Sequence, residues 1–363
     1  MSALAEKPKI FGTLVTDVVR KNLCVFCGAC VASCPISALS VQDEEPTIKG
    51  KCVLCQICYY QCPRVSYPTE ELEKYVFGRA KSANEPLGIY RSCYVGRSTK
   101  EDVLKKCQDG GVVTSVLAHA LESNQIDCAV VSGLSPQQPW RPMPIVVRTF
   151  GDLVVTAGTK YTPSPTLMGL GSAVEEYGCG KVAMVGVPCQ IQALRRMQTS
   201  PLGDLKLANA AVLAIGLFCM ESYYYGKLVN GFLKEKQIDP VKVSRFAIKK
   251  GKFRIYMDGN EVLSVPLKEL DGYVRHNCHV CGDFTAELAD LSVGGVGGPD
   301  GWSTILARTE RGEGLLLGAQ KAGFLELKPI SEVKPGLDLV MKLSDSKKPK
   351  PVAQPSAGAG QVS

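Results

Sequence analysis

The sequence predicts a mixed α/β chain in two parts: a small cysteine-rich module, then a larger domain of alternating strands and helices with an antiparallel insertion. Three observations predict it. Eight of the sixteen cysteines fall between Cys24 and Cys62. From about residue 91, short apolar runs alternate with amphipathic stretches, the order of an α/β sheet. Between residues 243 and 265, three strand-like runs are joined by Lys-Lys-Gly-Lys and Asp-Gly-Asn turns, which read as a meander.

The cysteines of the first part form two copies of one pattern. Cys24, Cys27, Cys30 and Cys34 precede Pro35, and Cys52, Cys55, Cys58 and Cys62 precede Pro63, so each copy reads CxxCxxCxxxCP at an offset of 28 residues. Three thiols two residues apart can grip one iron–sulfur cube, and the fourth, followed by proline, is set to reach the other cube. The expected sets are therefore Cys24, Cys27, Cys30 with Cys62, and Cys52, Cys55, Cys58 with Cys34. This makes residues 1–67 a ferredoxin-like module with two 4Fe-4S clusters. Zinc has no use for the third evenly spaced cysteine or the Cys-Pro ending. Disulfides do not suit the reducing cytosol expected from the absence of a signal-like start in MSALAEKPKIFGTL. Residues 1–20 carry an amphipathic packing segment through Leu14, Val15, Val18 and Val19, and residues 38–47 read as a hairpin. A module this small needs its metal to stay folded.

A length of 363 residues and a hydrophobic fraction of 45% allow two domains with a sizeable core. The apolar run at 209–220 is about a dozen residues, short of the roughly 20 that span a bilayer, so no membrane span is expected. A net charge of +7 without aromatic–basic interleaving gives no case for nucleic acid. It favours acidic partners such as a phosphorylated coenzyme or an acidic protein face.

Residues 68–90 read as a linker helix, charged over 69–85 and stopped by Pro86 and Gly88. Gln108, Asp109, Gly110 and Gly111 then open into a helix over 112–121 whose valines and leucines share one face. Such a loop can offer free N–H groups to a phosphate, or simply cap a core helix. A strand at 127–132 follows. The polar segment 158–164, with Lys160, Tyr161, Thr162 and Ser164, lies between a strand at 153–156 and a helix at 166–177, where it could surround a ligand or cap the helix. Next come a strand at 181–186, a helix from Cys189 to Met197, a strand at 209–219 and a helix at 221–236. The meander precedes a CxxC at 278–281. A strand at 289–293, a glycine-rich loop, a last strand at 303–308 and a helix near 314–322 close the domain. From about 344 the chain is polar and Pro/Gly-rich, the composition of a disordered tail at 344–363.

Cys189, Cys219, Cys278 and Cys281 each follow a strand end or sit in a turn, so four thiols could converge at one sheet edge and hold a third four-iron cluster. A zinc site drawing on His276 or His279, and inert buried thiols, are the competing readings. Cys93, Cys107, Cys128 and Cys179 read as core or surface thiols.

VGVPCQIQALRRM at 185–197, GLFC at 216–219, the CxxC at 278–281 and ADLSVGGVGGPDGWSTILAR at 289–308 resemble the beta-subunit family of coenzyme F420 hydrogenases and dehydrogenases. The QDGG loop and GTKYTPS at 158–164 resemble it too. The resemblance implies that residues 91–328 bind FAD, one further 4Fe-4S cluster and coenzyme F420. Carried onto this sequence, it makes Cys189, Cys219, Cys278 and Cys281 the ligands of the third cluster. It makes Gln108, Gly110, Gly111, Thr114, Ser115, Lys160, Tyr161, Thr162, Ser164, Pro188 and Gln190 candidate flavin contacts.

Shorter relatives in the hydrogenase lack the fused two-cluster module. Its presence implies the electron-input end of a multi-subunit, membrane-linked dehydrogenase of reduced F420, docked peripherally at the cytoplasmic face. F420-linked formate dehydrogenase, hydrogenase, sulfite reductase and glutamate synthase are alternative settings. F420 gives up a hydride, two electrons at once, whereas cubane clusters pass single electrons, so a flavin is also called for on chemical grounds. No catalytic acid or base is needed, which suits a chain with three histidines. Lys160, Arg195, Arg196 and Arg275 are candidate cations for the phosphodiester and glutamate tail of F420. The other function classes are a flavin-free electron-transfer adaptor and an NAD(P)H-linked flavoenzyme; against the latter, no GxGxxG follows a predicted strand.

Overall fold

A computed structural model of the chain describes residues 8–65, 68–203 and 205–349. In the N-terminal module, β1 (Leu39–Gln42) and β2 (Glu45–Ile48) form an antiparallel hairpin. The larger part is built on β3 (Ser92–Ser98), β4 (Cys128–Leu134), β5 (Pro142–Val147), β6 (Val182–Gly186) and β7 (Ala211–Leu217), then β8 (Val243–Lys249), β9 (Lys252–Met257), β10 (Asn260–Pro266), β11 (Leu291–Gly294), β12 (Ser303–Ala307) and β13 (Leu325–Pro329). Eight of these make one mixed sheet in the order β13-β3-β12-β11-β7-β6-β4-β5, and β10-β9-β8 form the separate antiparallel meander. The centre of the sheet is parallel, from β4 through β6 and β7 to β11, and both flanks are antiparallel.

Alternation along the central strands divides the core. Cys128 and Val130 enter one core with Val182, Met184 and Ala214, whereas Ala129 and Val131 enter the other with Ala183, Val185 and Ile215. Helices Thr166–Glu175 and Pro188–Thr199 cover the first face; Val112–Glu122 and Glu310–Lys321 cover the second.

The cysteine module packs on the first face, where Val25, Cys27 and Ala29 share a core with Leu167 and Leu170. The approach is close: Leu167 N–H donates to the Cys27 carbonyl at 3.0 Å. Gly28 has φ +85°, and a Cβ there would lie 2.8 Å from both the Pro165 carbonyl and Met168 Cγ, so only glycine fits. Its repeat partner 28 residues on, Gln56, has φ +68° and carries a full side chain that accepts from Lys9 N–H. Phe26 and Leu54 repeat the same relation at φ 54° and 59°. The two halves share a backbone; the first turn is pressed against helix Thr166–Glu175, whereas the second half meets the larger domain through Tyr60 and Gln61, which bond Arg196 and the Leu202 carbonyl.

Several expectations change. Residues 153–156 are the end of a helix, Phe150–Thr156, because Thr149 caps it by accepting from Asp152 N–H and only Leu153 is buried, with Val155 84% exposed. The expected linker helix is Thr69–Phe77, and it packs: Leu72 is fully buried in the core that contains Leu194. The helix expected at 221–236 spans Gly226–Phe232, with π-type winding, and Leu233–Glu235. The first two residues of the run at 209–219 end a helix, Leu205–Ala210, and the strand begins at Ala211. Strands β3, β5 and β13 were not anticipated, and β13 means that β12 is not the last strand. The chain remains ordered beyond 344 in helix Leu337–Lys347, whose Val340 and Ser344 are buried; the rest of the expected tail, from 350, lies outside the described residues.

Candidate redox site

The two CP motifs exchange their fourth cysteines. Cys24, Cys27, Cys30 and Cys62 line one cavity, whose remaining walls, among them Leu14, Val18, Phe26 and Pro46, are apolar. Cys34, Cys52, Cys55 and Cys58 line a second, with Phe11, Ile36, Leu39 and Leu54. The helical N-terminal segment, Phe11–Leu14 and Val15–Val19, supplies a wall to each. Burial, then repulsion from neighbouring thiols, pushes Cys27 and Cys30 well above the usual thiol range. Burial also raises Cys62 to about 11, and burial with the nearby Cys55, Cys52 and Cys34 raises Cys58 to about 12. Four such thiols can ionise together only against a compensating cation, and the donor set and apolar lining fit a four-iron cube. Amides already point at two sulfurs, Ala38 N–H at Cys34 and Leu54 N–H at Cys52.

The third thiol set forms at the carboxyl edge of the parallel strands. Cys189 lies in the first turn of helix Pro188–Thr199, which leaves β6 directly, and Cys219 follows β7. Cys278 sits on the turn His276–His279 with Cys281 just past it. Burial pushes Cys219 well up, and Cys278, Cys189 and Cys281 add to it; burial and Cys281 raise Cys189 to about 12. His276 and His279 are exposed, away from the buried sulfurs. The four thiols act on one another. Cys189 also raises Cys27, and Cys58 raises Cys30. The three sets therefore adjoin in series: the set at the sheet edge, the proximal cage of Cys24 and the distal cage of Cys58.

The expected flavin segments lie on the same edge. Gly110 and Gly111 serve close packing: a Cβ on Gly110 would meet the Gly96 carbonyl at 2.3 Å, and Gly111 has φ +69°. Gly110 N–H donates to Ser303 Oγ, and Ser115 Oγ donates to Ser98 Oγ at 2.7 Å. Thr114 and Thr162 are buried. Lys160 Nζ donates to the carbonyls of Thr156, Ala157 and Gly158, capping a helix end, and burial lowers its pKa to about 8. The Tyr161 hydroxyl accepts from Ile248 N–H of the meander. Gln190 holds the strip together, accepting from Val187 N–H just ahead of Pro188 and donating to the Ser164 carbonyl and to Thr166. Two buried oxygens are left without a partner, Gln108 Oε1 and Ser164 Oγ, one in each segment. These orphans fit a polar ligand along this edge.

The cations expected near it are engaged elsewhere. Arg195 is buried against Asp290 at 3.0 Å, Arg196 donates to the Tyr60 carbonyl, and Arg275 pairs with Glu44 at 3.1 Å. The charges that act on Asp109 of the QDGG loop are Lys249 and Arg245 of β8 and Asp300 of the glycine-rich loop, with Lys249 paired to Asp300 at 2.8 Å. Asp109 also abuts Gly295 of the glycine-rich loop. Sequence reading missed the two cations because they belong to the meander, although its KKGK turn marks the spot. It missed Arg64 as well, whose guanidinium sits among Cys189, Cys281 and Cys278.

Family profiles described as "Coenzyme F420 hydrogenase/dehydrogenase, beta subunit N-term" and "C terminus" match residues 93–170 and 179–333, and a 4Fe-4S binding domain profile matches residues 17–40. The chain is 44% identical over 264 residues to the beta subunit of a coenzyme F420 hydrogenase from Methanothermobacter thermautotrophicus, covering 73% of this chain and 93% of the relative. It is 33% identical over 338 residues to a subunit of the F(420)H(2) dehydrogenase from Methanosarcina mazei, covering 92% of each, an extent that must run through the cysteine module. Its fold matches a chain of the F420-reducing NiFe hydrogenase complex from Methanosarcina barkeri with a TM-score of 0.69 at 41% identity, over 72% of this chain and 90% of that one.

Proposed function

The chain belongs to the coenzyme F420 hydrogenase/dehydrogenase beta-subunit family of F420-linked iron–sulfur oxidoreductases, and from that premise we propose that it oxidises reduced coenzyme F420 and passes the electrons singly to a partner subunit. The observation that carries the reading is the uninterrupted series of three thiol sets leading away from the edge where the QDGG loop lies. In this reading each set holds one 4Fe-4S cluster. FAD, when bound, supplies the conversion of a hydride's electron pair into single electrons.

The protein's own residues position and insulate. Gln108 and Ser164 offer the free buried oxygens, Gln190 fixes the strip between them and Cys189, and Arg245, beside the Lys249–Asp300 pair, supplies positive charge for an anionic tail. The largely apolar walls of the two cages would shield a bound cluster from water on their inner sides. The likeness to the dehydrogenase relative through the fused module supports a multi-subunit dehydrogenase as the setting. Among the described residues, no helix is long and apolar enough to cross a membrane, so attachment to a membrane complex would be through a partner.

The test is anaerobic mixing of the flavin- and cluster-loaded chain with reduced F420, NADH or NADPH while flavin and iron–sulfur absorbance are followed. Bleaching by reduced F420 alone is expected. Bleaching by a nicotinamide would overturn the choice of donor, and a loaded chain that retains no flavin would reduce it to an electron-transfer adaptor.

A further inference from the structure

Arg64 lies two residues past Cys62, on the turn that leaves the proximal cage. Its charge bears on thiols of two sets: Cys189, Cys281 and Cys278 on one side, Cys24 and Cys62 on the other. Nε and Nη2 are buried and have no hydrogen-bond partner, while the guanidinium otherwise meets the Cys281 thiol. Arg275 also bears on both sets, but its charge is matched by Glu44 at 3.1 Å, and its other nitrogens donate to the Cys24 carbonyl and to Asn277. Orphaned donors on a buried cation are costly, more so than on a neutral group. Thiolate-ligated clusters on either side would give those donors acceptors and the charge a counterpart.

We propose that Arg64 is a positioning residue that sets the reduction potentials at the handover between the third set and the proximal cage. This rests on the reading that both sets hold 4Fe-4S clusters. A fixed cation beside a cluster stabilises its reduced, more negative form and so raises its potential. Because Arg64 borders both sets, it stays next to the electron through the step: the third cluster is oxidised by one electron, the proximal cluster is reduced by one, and no proton moves. The forked guanidinium can donate to sulfurs on both sides at once, which a lysine ammonium does less well. Three thiols of the third set, Cys189, Cys281 and Cys278, lie around its guanidinium, so the third set is the more sensitive.

The experiment is a redox titration of the full-length, cluster-loaded chain, followed by electron paramagnetic resonance, for wild type, Arg64→Gln and Arg64→Lys. Arg64→Gln should shift the oxidised-to-reduced ratio of the third cluster about tenfold toward oxidised at fixed poise, 59 mV for a one-electron centre. A smaller shift in the same direction is expected for the proximal cluster and none for the distal one. Arg64→Lys should recover most of the shift. Three signals at wild-type potentials in Arg64→Gln would overturn the proposal and leave the cluster assignment intact. A wild-type chain without a third signal would instead remove the assignment itself, and the proposal with it. Should Arg64→Gln fail to assemble the third cluster, rescue by Arg64→Lys supports the role of the charge, and equal loss in both variants overturns it.

Discussion

Cys62 belongs by sequence to the second motif and by position to the first cavity, and Cys34 does the reverse. Substitution should expose the exchange. Cys62→Ala is expected to abolish the same paramagnetic signal as Cys24→Ala while sparing the signal lost in Cys52→Ala; loss grouped by motif instead would break the assignment. At Lys160 the prediction concerns pH. Burial lowers its folded pKa to about 8, below the usual lysine value of about 10.4, so between these limits the unfolded chain binds more protons and this residue makes stability rise with pH. Denaturant titrations of wild type and Lys160→Met across pH 7–11 should therefore diverge above pH 8, with the variant lacking that rise. The candidate cations show how far residue type can mislead: Arg195, Arg196 and Arg275 lie in or beside the sequence motifs, yet each is consumed by a structural contact that joins distant segments.

The hairpin β1–β2 is the element that locks the module to the larger domain. Its turn residue Glu44 is buried against Arg275 and receives Tyr225 N–H, although burial still outweighs the cation and raises its pKa. Removing one partner leaves a buried charge uncompensated, a loss of about 3–5 kcal/mol. Arg275→Met should therefore destabilise by that order in denaturant unfolding, and Arg275→Met with Glu44→Gln should recover part of it; equal stability of all three forms would show that the pair does not carry the docking. Most elements were legible because their signals are local: a period of 3.6 over 112–122, glycine turns in the meander, the Cys-Pro repeat. Helix Phe150–Thr156 was misread because Leu-Val-Val favours strands by composition, whereas the capping Thr149 and solvent on Val155 decide otherwise.

At the scale of the whole molecule, the distal cage faces outward. Ile36, Val53 and Leu54 on its rim are about half exposed, and Lys49 and Lys51 flank them, a surface suited to an electron-accepting subunit with an acidic rim. Leu54→Glu should slow electron delivery to that acceptor, most at low salt, without changing flavin bleaching by reduced F420; stopped-flow traces with and without the acceptor would separate the two. The sequence alone determined the cluster-binding motifs, the mixed α/β class and the family, because thiol spacing, turn chemistry and strand–helix alternation are local properties of the chain. The tertiary structure alone decided that the proximal cage meets Cys189, that Arg64 stands between them, and that Arg245 and Lys249 reach the QDGG loop. Those relations arise where the module packs on one face of the sheet and the meander folds over its edge, and no spacing within either segment encodes the distance between them.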